Sequence, residues 1–151
     1  MSNKDAAKLL IENNWDLPMF SYFTVTTANA TLPDVIKKYN YVLECKTEVV
    51  KAEQQLQITA SDNYNFEQYT TLKRNLNSKI TKFYQAVDEL EKTGVVVKSI
   101  DEGLLDFPAK RFDEEIWLCW KKGETEIKFW HEKDAGFMGR KPIEVNDETL
   151  V

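Results

Sequence analysis

The segment Thr31 to Ile58, "TLPDVIKKYNYVLECKTEVVKAEQQLQI", decides the fold because its apolar residues recur every seven positions. Two rows share this spacing: Val35, Val42, Val49 and Leu56, and Ile36, Leu43 and Val50. Such a pattern is typical of a long helix whose apolar stripe contacts another helix. Thr31 is a favourable N-cap and Pro33 suits a first helical turn, so we predict that the helix begins there.

A second helix is predicted from Phe66 to Thr93. Its stripe has the same seven-residue spacing, at Tyr69, Leu76, Phe83 and Leu90. The turn-forming cluster "SDNYN" (61–65) precedes it, and Gly94 stands where a C-cap glycine is expected. Residues 32–93 are therefore predicted to form an antiparallel helical hairpin.

All five glycines lie at or after position 94, which indicates strands and tight turns in residues 94–151. We predict strands at "VVVKSI" (95–100) and at "LLDFP" (104–108), the latter at a sheet edge or strand end because Pro108 lacks an N–H. The clearest hairpin is "EIWLCWKKGETEIKFWHE" (115–132). The fold class expected is α+β, a long antiparallel helical hairpin packed on a small, mostly antiparallel β-sheet.

The faces of that hairpin follow from its turn. If Lys122-Gly123 is a two-residue turn, Leu118 pairs with Ile127, and His131 falls on the apolar face that should meet the helices. The opposite face then carries Trp117, Cys119 and Trp130 among charged residues. Two tryptophans on a mixed face suggest cover by the tail or by a partner, so Trp117 and Trp130 are candidate binding residues.

Composition excludes several classes of function. The chain has 151 residues and a net charge of −5, which argues against nucleic-acid binding. No apolar stretch is long enough to span a membrane, and the N-terminus has no signal-peptide pattern. The two cysteines, Cys45 and Cys119, are read as reduced, buried, structural thiols of a cytoplasmic protein. Residues 1–20 are predicted to be an N-terminal extension, and 21–151 a single domain.

The dimensions of the predicted elements suggest self-association. A helix over 33–58 would be about 39 Å long, whereas a six-residue strand covers only about 20 Å. The small sheet cannot cover such a hairpin, so we expect a homo-oligomer, most simply a homodimer, formed through the hairpin.

The candidate chemistry centres on His131, the only histidine of the chain. His131, Glu132 and Asp134, together with Asp106, are possible catalytic or metal-binding residues. However, the spacing H-E-x-D is not that of a zinc-binding helix, and the competing reading is structural: His131 hydrogen-bonded to Asp106. Arg140 either binds an anionic ligand or pairs with Asp134. No cofactor is predicted, with a divalent metal as the alternative.

Several motifs resemble a known family. "YFTVTTANATLPDVI" (22–36), "GVVVKSIDEGLLDFPA" (94–109) and "IWLCWKKGETEIKFWHEKDAGFMGR" (116–140) are similar to the prokaryotic domain-of-unknown-function family numbered twenty-two zero three. The resemblance covers residues 21 to 142 and implies no activity. The family often has acidic residues after its leading threonine, where this chain has Thr26-Thr27, which predicts a weaker capping box.

Two functions follow as hypotheses. The first is a non-enzymatic scaffold or partner-binding module that self-associates. The alternative is a small metal-dependent or acid/base hydrolase-like enzyme centred on His131. A dry, hydrogen-bonded cluster without a cleft would favour the first, and a site open to a ligand would favour the second.

Overall fold

The computed structural model describes residues 22–62 and 65–144. It contains a helical hairpin and a five-stranded antiparallel sheet, which confirms the α+β class. The helices are α1 (Val25–Asp62) and α2 (Phe66–Glu91). The strands are β1 (Val96–Ser99), β2 (Leu104–Arg111), β3 (Glu114–Lys121), β4 (Phe129–Glu132) and β5 (Lys141–Pro142), and a 3-10 helix spans Phe137–Gly139.

The described chain forms two compact units. One comprises residues 34–90, and the other comprises residues 22–33 together with 91–144. The predicted extension, 1–20, lies outside the described residues. Within the described ranges, no helix combines the length and the apolar character needed to cross a membrane.

The start of α1 differs from the prediction. The helix begins six residues before Thr31, at Val25, and Pro33 lies inside it. Thr24 is the N-cap: the Thr27 N–H donates to Thr24 Oγ1 (3.1 Å), and the Thr24 N–H donates to Thr27 Oγ1 (2.8 Å). This is a reciprocal capping box with a threonine hydroxyl in place of the usual carboxylate, and its expected weakness stays a prediction.

Pro33 removes one helical hydrogen bond, at a cost of about 3 kcal/mol. Leu32 and Val35, which flank it, are fully buried and offset that cost by about 1.5–3 kcal/mol each. Thr31 is not a cap, because its hydroxyl donates to the carbonyl of Thr27 within the helix (2.9 Å).

The hairpin core follows the heptad spacing with one adjustment. From Val35 to Leu56, the buried α1 residues are Val35, Tyr39, Val42, Cys45, Ala52 and Leu56. The buried stripe of α1 therefore passes through Cys45 and Ala52, whereas the next residues along the chain, Lys46 and Glu53, are polar. On α2, Leu76, Ala86 and Leu90 are buried, and Leu76 packs with Ala52 and Leu56. The thiol of Cys45 is thus a packing group, as predicted.

The two ends of α2 match the prediction. Asn65 caps the first turn, since its Oδ1 accepts from the Gln68 N–H (3.1 Å). At the other end, Gly94 has a φ of +102° and its N–H donates to the carbonyl of Glu91 (3.0 Å). The left-handed conformation explains why glycine occurs at this position.

The sheet is a meander in which each strand pairs with the next along the chain. One face is apolar and buried, and it consists of Leu105, Phe107, Ala109, Ile116, Leu118, Trp120 and Trp130. The chain entering α1 packs here: the ring of Phe23 lies edge-on to that of Phe107, with centroids 5.1 Å apart. The Phe23 N–H also donates to the carbonyl of Pro108 (2.7 Å).

The predicted register of β3 with β4 was wrong. Leu118 pairs with Trp130 rather than Ile127, an offset of three residues (130 − 127), and residues 122–128 form a longer loop. An odd offset exchanges the two faces of a strand. His131 consequently lies on the face opposite Leu118, and Trp130 lies on the apolar face.

The loop has its own bonding, which explains the register. The Glu124 carboxylate accepts from the Lys121 N–H (2.6 Å), and the Glu124 carbonyl accepts from the indole N–H of Trp120 (2.8 Å). Ile127 is buried, and its N–H donates to Asn29 Oδ1 on α1 (2.7 Å). These bonds hold the backbone N–H of Ile127 away from the β3 ladder.

Strand β2 is also longer than predicted, because it continues through Pro108 to Arg111. Proline is tolerated here because β1 pairs with β2 only from Leu104 to Asp106, so Pro108 lies beyond the end of β1. The β2–β3 turn is Phe112-Asp113, with φ values of 49° and 64°.

Thr24→Ala should lower the free energy of unfolding by about 1 kcal/mol, because it removes the N-cap of α1. Urea unfolding followed by circular dichroism measures this. Thr47→Ala is the matched control, since the Thr47 hydroxyl bonds only within the helix, to the Leu43 carbonyl (3.0 Å). The control should change stability by less than about 0.5 kcal/mol. Equal effects of the two substitutions would contradict the capping role.

Candidate functional site

Three polar or reactive side chains meet on the face of the sheet opposite Leu118. Asp106 lies on β2, Cys119 on β3 and His131 on β4. Asp106 pairs directly with Cys119, and His131 pairs with Trp117, two residues before Cys119 on β3. Side chains at such positions point to the same face and are near neighbours. The sheet register alone therefore assembles the cluster.

The predicted pairing of Asp106 with His131 is confirmed. His131 Nε2 lies 3.0 Å from Asp106 Oδ2, and both side chains are almost fully buried. His131 Nδ1 lies 2.9 Å from the backbone carbonyl of Glu132. A carbonyl can only accept, so Nδ1 carries a proton, and Nε2 faces the carboxyl group. The pair then shares one proton between Nε2 and Oδ2.

Burial sets the protonation of the other groups. Burial raises the pKa of Asp106, while the nearby His131 and Lys98 oppose that shift. Burial and the Asp106 charge raise the pKa of Cys119 to about 11, so its thiol is protonated at neutral pH and is a poor nucleophile by itself. Within the described residues, every buried side-chain nitrogen and oxygen has a hydrogen-bond partner. The buried side-chain nitrogen and oxygen atoms of the cluster are therefore all hydrogen-bonded, and its thiol is uncharged.

A pocket reaches this cluster. Its volume is about 270 Å³, and Asp106, Cys119 and His131 lie among its lining residues. The remaining walls come from β1, from the start of β2 and from the segment after β4: Lys98, Leu104, Lys133, Asp134, Ala135, Gly136 and Phe137. The cluster is therefore buried beneath an opening, rather than sealed in the core.

Arg140 pairs with Glu124 rather than Asp134, in a two-bond ion pair of 2.9 and 3.2 Å. The predicted pairing with Asp134 was therefore wrong, and the alternative, binding of an anionic ligand, stays a prediction. The guanidinium also stacks on Phe129 (3.7 Å to the ring centroid) and Phe137 (4.5 Å). These aromatic contacts direct Arg140 toward the β3–β4 loop. Its Nη1 lies 3.9 Å from Cys119 Sγ, so the cation borders the cluster.

Of the other predicted site residues, Asp134 and Trp117 lie on the side of the cluster, whereas Glu132 and Trp130 lie on the opposite face of the sheet. Asp134 lines the pocket and is exposed, and Trp117 lies on the face of the cluster with Lys98 over its ring. Glu132 turns away from His131, as strand alternation predicts, and pairs with Lys141 (3.0 Å). Trp130 does not share a face with Trp117. It is buried on the apolar face, and the charged groups of Arg111 and Lys141 lie 4.6 and 5.0 Å from its ring centroid.

Sequence reasoning did not place Cys119 in the site. The sequence feature that would have placed it there is the β2–β3 turn, because a two-residue turn at Phe112-Asp113 pairs Asp106 with Cys119. That turn is hard to recognise, since Asp113 is of a type that positive φ values favour but Phe112 is not.

The three donors suit a transition metal. One carboxylate oxygen, one thiol sulfur and one imidazole nitrogen lie within 4.8 Å of one another. The hydrogen bond from Nδ1 to a backbone carbonyl is the arrangement that orients metal-binding histidines, and it leaves Nε2 as the ligand.

One comparison with known proteins gives a match. A family model described as an uncharacterized conserved protein, DUF2203, matches residues 21–143. No curated protein and no solved structure matches the chain.

Replacing one member of the Asp106–His131 pair should be more costly than replacing the pair. His131→Ala leaves a buried carboxyl group without its partner and should lower the free energy of unfolding by about 3–5 kcal/mol. Adding Asp106→Ala should then cost less than it does in the wild type, with a coupling energy of at least about 1 kcal/mol. Urea unfolding of the four proteins with a chelator present gives this value.

The exposed pair Glu132–Lys141 provides the control for that cycle, since it should couple by less than about 1 kcal/mol. Additive effects at Asp106 and His131 would show that the hydrogen bond between them does not contribute to stability.

Proposed function

The chain belongs to the DUF2203 family, whose description assigns no activity, and from the geometry of the site we propose a metal-dependent enzyme of the hydrolase type. Asp106, Cys119 and His131 hold a divalent ion of the zinc class. The observation that carries this proposal is the convergence of three ligand atoms within 4.8 Å on the floor of a pocket.

The distances support a tetrahedral ion. Bonds of about 2.0–2.3 Å place tetrahedral ligand atoms roughly 3.3–3.7 Å apart. The distance of 3.0 Å between Nε2 and Oδ2 is close to that range. The distances from Cys119 Sγ to these two atoms are at most 4.8 Å, so small side-chain rotations would bring all three atoms into the range. Binding would displace the shared proton and the thiol proton, so the ligands present two negative charges to a divalent ion.

The ligand types select the metal. Thiolate and imidazole favour zinc and its neighbours in the first transition row, whereas Mg²⁺ and Ca²⁺ prefer oxygen ligands. With a single histidine in the chain, a mixed set of nitrogen, sulfur and oxygen is the set that this fold provides.

Three protein ligands leave one position of a tetrahedral ion for water or substrate, as in catalytic zinc sites. Asp106, Cys119 and His131 would hold the ion, and the pocket beside them would admit a carbonyl or phosphoryl substrate. The ion would supply a hydroxide nucleophile near neutral pH, because zinc lowers the pKa of a bound water to about 7.

The pocket favours this function over a purely structural clamp. A clamp needs the Asp106–His131 hydrogen bond but neither an opening above it nor a third ligand beside it. Cys119 supplies the third ligand, and the 270 Å³ opening gives a small molecule access.

A second role, self-association through the hairpin, is favoured by a separate observation. The α1 row Ile36, Leu43 and Val50 has heptad spacing, yet Ile36 and Leu43 are only half-buried and Val50 is 42% exposed. We propose that this row packs against the same row of a second copy in a homodimer. Such a contact would cover apolar surface that α2 leaves exposed.

Purified wild-type protein, stripped with a chelator and titrated with zinc, should bind one ion per chain. Cys119→Ala removes one ligand and should weaken binding by at least tenfold, and Asp106→Asn should do the same. Calorimetry or competition with a zinc indicator measures the affinity, and the spectrum of the cobalt form reports a thiolate ligand.

The other buried cysteine gives the control for this titration. Cys45→Ala should bind zinc as the wild type does, because Cys45 lies in the hairpin core. Failure of the wild type to bind zinc, or unchanged binding by Cys119→Ala, would refute the proposed centre.

Sedimentation velocity at micromolar concentration should show a dimer for the wild type and a monomer for Val50→Glu. Tyr41→Glu is the control, because Tyr41 is equally exposed, at 43%, but lies about 160° around the helix from Leu43. A monomeric wild type, or a dimer that tolerates Val50→Glu, would contradict self-association through this row.

A further inference from the structure

We infer that the pocket above the cluster takes a small anion, a carboxylate or phosphate group, and that Lys98 is the residue that recognises its charge. The inference rests on the proposed metal centre for the inner end of the ligand. The role of Lys98 rests on separate observations and is tested separately.

Lys98 is positioned to meet a ligand in the pocket. It lies on β1, is exposed and lines the opening. Its Nζ lies 4.2 Å from the ring centroid of Trp117, which is the direct partner of His131 in the sheet. Lys98 and Asp106 line the same pocket. A cation–π contact steers the lysine without neutralising it, so its charge is available to an anion.

The remaining charges of the pocket agree with this assignment. Lys133 is the second cation in its walls and is held by Glu115, and Asp134 is the acidic residue of its rim. With the proposed ion bound, the Asp106 carboxylate and the Cys119 thiolate would balance its two positive charges, so the centre would carry no net charge. Lys98 would then attract an anion and repel a cationic ligand.

The size of the pocket limits the ligand. Its volume of about 270 Å³ lies just below the range of roughly 300–1,000 Å³ that is usual for drug-sized molecules. Gly136 forms part of the pocket wall and has no side chain, and an added Cβ there would have no neighbour within 4 Å. Phe137 gives an apolar surface beside it. A compact monoanion or dianion with a short carbon skeleton fits these walls.

Trp117 provides the readout. An anion that draws Lys98 away from the indole ring removes the cation–π contact and should change the fluorescence of Trp117. The signal is assigned by its loss in Trp117→Phe, since the chain has four tryptophans.

The experiment titrates zinc-loaded protein with inorganic phosphate and, separately, with acetate, at constant ionic strength. Calorimetry and tryptophan fluorescence are recorded. At least one of the two anions should bind, and Lys98→Ala should weaken its binding at least tenfold while zinc stoichiometry stays at one per chain. The stronger of the two probes identifies the class of anion.

Lys110→Ala is the matched control. Lys110 is also exposed on the sheet and also stacks on an aromatic ring, that of Tyr22 (4.6 Å), but it does not line the pocket. It should bind the anion as the wild type does. Equal binding by Lys98→Ala and the wild type, or no binding of either probe, would overturn the inference.

A failure of the proposed metal centre can be distinguished from a failure of anion recognition. If the wild type binds no zinc, the same titrations on metal-free protein decide the question. Binding that depends on Lys98 would support anion recognition without the metal, and its absence would reject the inference.

Discussion

The register between β3 and β4 is the constraint on which the site depends. Because the loop 122–128 is fixed by Glu124 and by the bond from Ile127 to Asn29, β4 enters the sheet with Trp130 opposite Leu118. This places His131 beside Asp106 and Cys119 and moves the ring of Trp130 into the apolar layer. A slip of one residue would exchange these faces, burying an imidazole among Leu118 and Phe107 and exposing the indole. The loop is therefore as important to the chemistry as the three side chains.

The cluster is hydrogen-bonded as it stands, and the proposed metal would exchange its protons for coordinate bonds. With one proton shared between Asp106 and His131, no buried side-chain nitrogen or oxygen atom there lacks a hydrogen-bond partner. In the proposed centre the same atoms would be the ligands, and Arg140 lies close enough to Cys119 to favour a thiolate. These hydrogen bonds would let the chain fold without the ion, in contrast to small zinc domains that need the metal to fold.

Local sequence patterns predicted much of the fold, whereas features that depend on contacts between distant residues were not predicted. The heptad spacing of Val35, Val42, Val49 and Leu56 identified α1, since one helical stripe must be buried. Its start was misplaced because Pro33 is a frequent first-turn residue, and here packing of Leu32 and Val35 overrides that preference.

The candidate site was predicted in part and by an incomplete argument. Asp106 and His131 were paired because polar residues isolated in apolar strands need partners when buried. The face predicted for His131 was wrong, since Lys122-Gly123 resembles a two-residue turn and nothing local indicates the role of Glu124; only the observed register places His131 on the face of Asp106. Cys119 was missed because its proximity to Asp106 depends on a turn at Phe112-Asp113, where the phenylalanine is unusual for a positive φ.

The meander order of the sheet has a consequence for how the site forms. Each strand pairs with its sequence neighbour, so Asp106, Cys119 and His131 lie within one continuous stretch, and Asp106 and His131 are separated by only 25 positions. Contacts between neighbouring segments have low contact order, and closing such short loops costs little chain entropy. The site can therefore assemble early in folding, before contacts distant in sequence are made. An ion captured at that stage would act as a template, fixing the strand register before the rest of the chain has packed.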